Sequence, residues 1–144
     1  MRVLFLDIDG VLNRTGYAPS ASVGLRSWIE PDLARRLDDV IRQTGARIVL
    51  SSDWRHGRDL ETLQAELLAA GIESPLDGTT PLLGGPRWNE IQTWMTAHEI
   101  GADSIAIIDD FHDMAPLAHR FVRVPPLNGL DADAASQLVA LLAP

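Results

Sequence analysis

Apolar and polar positions come in blocks along this chain, and three short apolar runs each end in a polar cluster. Val3, Leu4, Phe5 and Leu6 lead into Asp7-Ile8-Asp9-Gly10, residues 46–50 into Ser51-Ser52-Asp53-Trp54-Arg55, and residues 104–108 into Asp109-Asp110-Phe111-His112-Asp113. Runs of this length, rich in strand formers, suit buried parallel strands. Between them apolar residues recur at helical spacing. Leu33, Leu37, Val40 and Ile41 predict a helix that opens at Pro31 and stops at Gly45, and Leu60, Leu63, Leu67 and Leu68 predict a second that ends near Gly71. Ile91, Trp94 and Met95 predict a third helix, opened by Arg87 and finished before Gly101. Residues 120–124 read as a fourth strand. Leu138, Val139, Leu141 and Leu142 form the apolar side of a closing helix over 131–142. Residues 13–30 and 72–86 are loop-like; the second has room for a short strand, and neither for a large lid. Tyr17 and Trp28 can shield the site or pin the first loop to the body, and burial is the commoner fate of such aromatics. Alternating strands and helices predict an α/β fold, a central parallel sheet with helices on both faces.

Composition narrows the class. A length of 144 residues suits one domain with a proper core, and an apolar share of 46% argues against disorder. With no cysteine there is no disulfide framework, thiolate zinc site or cysteine nucleophile. The apolar run before Asp7 is too short for a signal peptide, and no stretch approaches the roughly 20 apolar residues of a membrane span. The expectation is a soluble cytoplasmic protein. Net charge is −8, which counts against broad attraction to nucleic acid. Every basic residue is arginine, so any cationic clamp on a phosphate must be Arg.

The polar clusters carry the chemistry. A buried strand has no reason to carry carboxylates, since an unpaired buried charge costs several kcal/mol. Asp7 and Asp9 should therefore lie at the strand's C-terminal end and face something positive, at the edge where open α/β sheets bind ligands. A Mg²⁺ ion shared with a phosphate would account for both, because Mg²⁺ takes oxygen ligands. Gly10 lets the chain turn sharply and keeps bulk out of the site; an Asp-Gly turn with no ligand is the plain alternative. Ser51 and Ser52 can hold a phosphate oxygen or cap the next helix. Arg87 opposes the dipole at a helix start, which makes a phosphate ligand as reasonable as a solvated side chain. Asp109 and Asp110 repeat the oddity of the N-terminal run. Convergence of three such strand ends is hard to explain as three unrelated turns.

This arrangement resembles the haloacid dehalogenase (HAD) superfamily of phosphotransferases. Asp7-Ile8-Asp9-Gly10-Val11 matches its DxDG[VT] signature, Ser51 the hydroxyl ending the second strand, Arg87 the basic residue before the last motif, and Asp109-Asp110 the acidic pair. More narrowly, FLDIDGVLN, IVLSSDWR, Arg-x-x-Glu-Ile and Ile-Asp-Asp resemble the small phosphatase domains of Swiss Army Knife RNA-repair proteins. The resemblance implies a Rossmann-like HAD core over residues 1–144, without a large cap, and a Mg²⁺-dependent phosphomonoesterase. Asp7 would be the nucleophile that forms an aspartyl-phosphate and Asp9 the acid/base. Mg²⁺ would lie between Asp7, the Asp9 carbonyl and Asp110, with Asp109 the alternative to Asp110. Ser51 and Arg87 would stabilise the transferring phosphoryl group, and Asp109 or Asp113 would orient Arg87 or a metal-bound water.

Short intervals between motifs imply an open site, suited to a large substrate such as a polynucleotide 5′ or 3′ end or a phosphoprotein, unless a partner chain closes it. Nucleotides or other small phosphorylated metabolites are the alternative, and a non-catalytic phosphate- and Mg²⁺-binding module the rival from another class. Ser52, Gly10, Trp54 and Arg55 are candidate substrate contacts; Trp54, Trp88, Arg55, Arg58 and His112 lie near the expected mouth, where packing and solvation are their plain alternatives. His56, His98 and His119 show no metal-ligand spacing.

Overall fold

The computed structural model describes residues 1–14 and 29–143, so the expectations for Tyr17 and Trp28 lie outside the described residues. Its elements are β1 (Val3–Leu6), α1 (Pro31–Thr44), β2 (Arg47–Leu50), α2 (Leu60–Ala69), β3 (Leu76–Thr79), α3 (Arg87–Ala97), β4 (Ile105–Asp109), β5 (Phe121–Arg123) and α4 (Ala132–Leu142). The five strands form one parallel sheet in the order β3-β2-β1-β4-β5. β1 is central, and the strand order reverses beside it, between β1 and β4. That reversal opens the crevice in which α/β sheets bind ligands.

Side-chain alternation splits the core in two. Leu4, Leu6, Ile48, Leu50, Ala106 and Ile108 pack with α1, α2 and α4 on one face, and Val3, Phe5, Val49, Ile105 and Ile107 pack with α3 on the other. The fold is therefore the three-layer α/β architecture that the alternation of elements predicts, and among the described residues no cap domain is inserted. No described helix is long and apolar enough to cross a membrane.

Pro31 starts α1 at its first turn, and Gly45, at φ +69°, ends it with its N–H on the Ile41 carbonyl. Asp59 and Asp131 cap α2 and α4 through their side chains. One expectation needs correction. On α2 only Leu63 and Leu67 are buried, while Leu60 and Leu68 are exposed, because the helix turns a narrow stripe inward. The stretch 72–86 holds the short strand it has room for, β3, whose Leu-Asp-Gly-Thr sequence is polar because it sits at a sheet edge. Glu30, fully buried, ties the chain ahead of α1 back to Arg14 through an ion pair and the Arg14 N–H (2.7 Å).

Candidate active site at the strand ends

The sheet ladder continues one residue beyond β1 and β2. The Asp7 N–H donates to the Ile108 carbonyl (3.1 Å) and the Ser51 N–H to the Leu6 carbonyl (2.9 Å). Asp7, Ser51 and Asp109 thus occupy neighbouring rungs. By alternation they project on the face that carries Phe5, Val49 and Ile107, the face covered by α3. Arg87, the first residue of α3, meets them there. Its Nη1 lies 3.3 Å from Asp7 Oδ1 and 3.0 Å from Asp109 Oδ2, and its Nη2 lies 2.9 Å from Asp53 Oδ1. With 5% exposure it is an interior arginine, and the mismatch with the helix dipole is resolved by three carboxylates.

Asp109 is fully buried and saturated. Its Oδ1 accepts the N–H groups of Phe111 (2.9 Å) and His112 (3.1 Å), its Oδ2 accepts Arg87, and His112 Nδ1 lies beside both oxygens. Burial alone would raise its pKa, yet these backbone donors and Arg87 hold it below the usual carboxylate range. Asp7, Asp109 and His112 offer ligand atoms within 4.8 Å of one another. Asp109 is thus held by its own protein donors, and the next residue, Asp110, also lies beside Asp7. Asp109 orients Arg87, while Asp113 accepts the Ala115 N–H in a local turn (3.0 Å).

Asp110 is half-buried and hydrogen-bonded to Asp7. Burial, followed by the charge of Asp109, pushes Asp7 up to about 8 against the opposing pull of Arg87. Burial and Asp109 also raise Asp110, although its bond with Asp7 works the other way. Without a cation, burial favours a proton shared between the two carboxyls. Gly10 makes this proximity possible. Its φ is +81°, and a Cβ there would fall onto Asp110 Oδ2, 2.6 Å from Cγ. Gly10→Ala should therefore destabilise the fold by about 1 kcal/mol or more through backbone strain, and weaken divalent-cation binding by displacing Asp110. Thermal unfolding with and without Mg²⁺ checks both.

Ser51 and Ser52 divide the two roles open to them. Ser52 Oγ accepts the Trp54 N–H (3.2 Å) and caps the short 3-10 turn Asp53–Arg55. Ser51 Oγ is fully buried and has no hydrogen-bond partner among the described residues. Asp9 faces out; its Oδ1 accepts Trp54 Nε1 (3.1 Å) and Asn13 Nδ2 (3.0 Å). Trp54 is otherwise a core residue, with Arg58 over its ring at 5.0 Å, so it positions Asp9 and offers no bare stacking platform. The substrate-gripping role expected of Arg55 is corrected. Its buried guanidinium is spent on the Ser52, Thr80 and Pro81 carbonyls, the Thr80 hydroxyl and Glu90 Oε1 (3.0 Å), and it braces the loop after β3. Trp88 is half-buried against the α3-side core, and His112 lies against Asp109. Asp53 and the Trp54–Asp9 bond were not foreseeable, because no periodicity links residues 34 and 45 positions apart.

A parallel three-layer sheet whose central strands end in DxD, Ser and Asp-Asp, with one arginine clamped among them, defines a HAD-type phosphatase-like domain. This chain belongs to the family of HAD domains found in Swiss Army Knife RNA repair proteins, whose family model it matches over residues 3–135. Comparison with curated proteins gives no match.

Proposed function

We propose that this protein is a Mg²⁺-dependent phosphomonoester hydrolase that works through a phosphoaspartate on Asp7 and acts on an exposed terminal phosphate. The observation that carries the reading is the unpartnered Ser51 hydroxyl on the rung beside Asp7. A buried hydroxyl without a partner costs about 1–3 kcal/mol. A phosphate oxygen presented at the strand ends would satisfy it.

The residues also fit a divalent cation. Asp7 and Asp110 approach so closely that they need a proton or a cation between them, and an all-oxygen donor set suits Mg²⁺. Asp7, Asp110 and the backbone carbonyl of Asp9 would hold it, and when bound it would offset phosphate charge beside the nucleophile. The Asp7 carboxylate attacks phosphorus as the bond to the leaving oxygen breaks, and Asp9 gives that oxygen a proton. Asp9 then takes a proton from the water that attacks the phosphoaspartate, which releases inorganic phosphate and restores Asp7. Ser51 and Arg87 donate to the phosphoryl oxygens; Arg87 is already fixed by Asp7, Asp53 and Asp109, so little reorganisation is needed.

The open sheet edge suits a substrate larger than the site, and the family's link to RNA repair supports a polynucleotide end. A net charge of −8 opposes contact along a nucleic-acid backbone, which confines the grip to the phosphorylated terminus. Turnover of p-nitrophenyl phosphate with Mg²⁺, followed by comparison of end-phosphorylated oligonucleotides with mononucleotides, tests the reading. Ser51→Ala should lower kcat about 10²–10³-fold, as loss of one oxyanion donor does, and leave the melting temperature unchanged or slightly raised, since no protein bond is lost. A large drop in stability with little loss of rate would contradict it.

A further inference from the structure

Two shallow cavities flank Asp53. One, of about 240 Å³, includes Arg87 and His112 and belongs to the phosphoryl site. The other, of about 210 Å³, is lined by Asp9, Asp53, Trp54, His56 and Arg58, and two of these, His56 and Arg58, have no part in the chemistry above. We propose that this second cavity is the leaving-group subsite and that it takes a neutral, hydroxyl-bearing ring of the ribose type. The proposal rests on the phosphatase reading and specifies its substrate.

Position supports it first: Asp9, which hands its proton to the departing oxygen, lines this cavity, so the alcohol being released must lie against it. Size comes next. The cavity is smaller than the ~300–1,000 Å³ of sites that enclose a whole ligand, which suits one ring with the remainder of the substrate outside.

Charge and polarity then select the ring. Asp9 and Asp53 offer carboxylate oxygens to hydroxyl donors, and His56 and Arg58 offer nitrogens to hydroxyl oxygens. Arg58 already faces Glu66 at 3.5 Å, so a second phosphate on the leaving group would meet the Asp53 carboxylate and an occupied guanidinium. A phosphoanhydride is therefore a poor fit. An alkyl or aryl group fits no better, because the Trp54 N–H is bonded to Asp9 and its ring face is covered by Arg58.

The test compares kcat/KM for ribose 5-phosphate and n-butyl phosphate, two primary alkyl esters of similar intrinsic reactivity, with Mg²⁺ present. The wild-type protein should prefer ribose 5-phosphate by about tenfold or more, the scale of one or two added hydrogen bonds. His56→Ala and Arg58→Ala should each shrink that ratio, and pyrophosphate should be no better than n-butyl phosphate. A 5′-phosphorylated dinucleotide separates the two sources of such a ring: equal or better turnover points to a polymer end, poorer turnover to a free sugar phosphate, and either upholds the subsite. Equal rates for the two alkyl esters, or a ratio that survives both substitutions, would overturn it. Wild-type turnover of p-nitrophenyl phosphate in that case would leave the phosphatase reading standing; no turnover of any ester would remove both.

Discussion

Asp7→Asn is expected to lose turnover by at least about 10⁴-fold and, at the same time, to make the cation-free protein more stable. The first effect follows from deleting the nucleophile, whose loss in covalent catalysis is among the largest single-residue effects. The second follows from the raised pKa. Folded Asp7 keeps its proton up to about 8, whereas an unfolded carboxyl releases it near 4. Between those values the folded state binds more protons, so stability falls as pH rises across that window. Asparagine removes the buried charge and flattens the slope. Wild-type protein without Mg²⁺ should therefore melt at a lower temperature at pH 8 than at pH 5. The stabilisation by Mg²⁺ should be larger at pH 8, because the ligand must be deprotonated to bind. Melting curves over pH, with and without Mg²⁺, read all of this; a pH-independent wild type, or an Asp7→Asn protein with ordinary turnover, would contradict it.

Arg87→Ala should be damaging for the fold and costly for the rate. It leaves the buried Asp109 charge with no cation, removes the neighbour that pulls Asp7 down, and frees Asp53. Removing one partner of a buried ion pair costs about 3–5 kcal/mol. The barrier should rise by a further 2–4 kcal/mol or so from the lost phosphoryl contact. Arg87→Lys keeps the charge, but an ammonium cannot fork across three carboxylates, so it should fold better than Arg87→Ala and remain slow. Urea unfolding and kcat/KM on both variants check the account; wild-type stability in Arg87→Ala would refute the clamp.

The site was legible because strand chemistry is local. An apolar run fixes the strand, and period-two alternation then dictates that Asp7, Ser51 and Asp109 share a face once the strands lie parallel in register. Asp109 and Asp110 could not be told apart in the sequence, because where β4 ends decides it: the last rung of the strand meets Arg87, and the next residue lies against Gly10. What stayed hidden depends on long-range partners. Arg55 reads as a mouth residue until Thr80 and Glu90 are seen to consume its donors. Trp54 reads as a stacking surface until its N–H is found on Asp9. β3 could be allowed for but not located, because an edge strand of Leu-Asp-Gly-Thr carries no apolar run.

Trapping the covalent intermediate tests the central claim most directly. Asp9→Asn protein, mixed with Mg²⁺ and p-nitrophenyl phosphate and quenched in acid, should gain the mass of one phosphoryl group on a peptide containing Asp7, because the good leaving group needs no acid while hydrolysis lacks its base. The double variant Asp7→Asn/Asp9→Asn should gain nothing. An adduct on another residue, or steady turnover by Asp7→Asn protein without any adduct, would contradict the account.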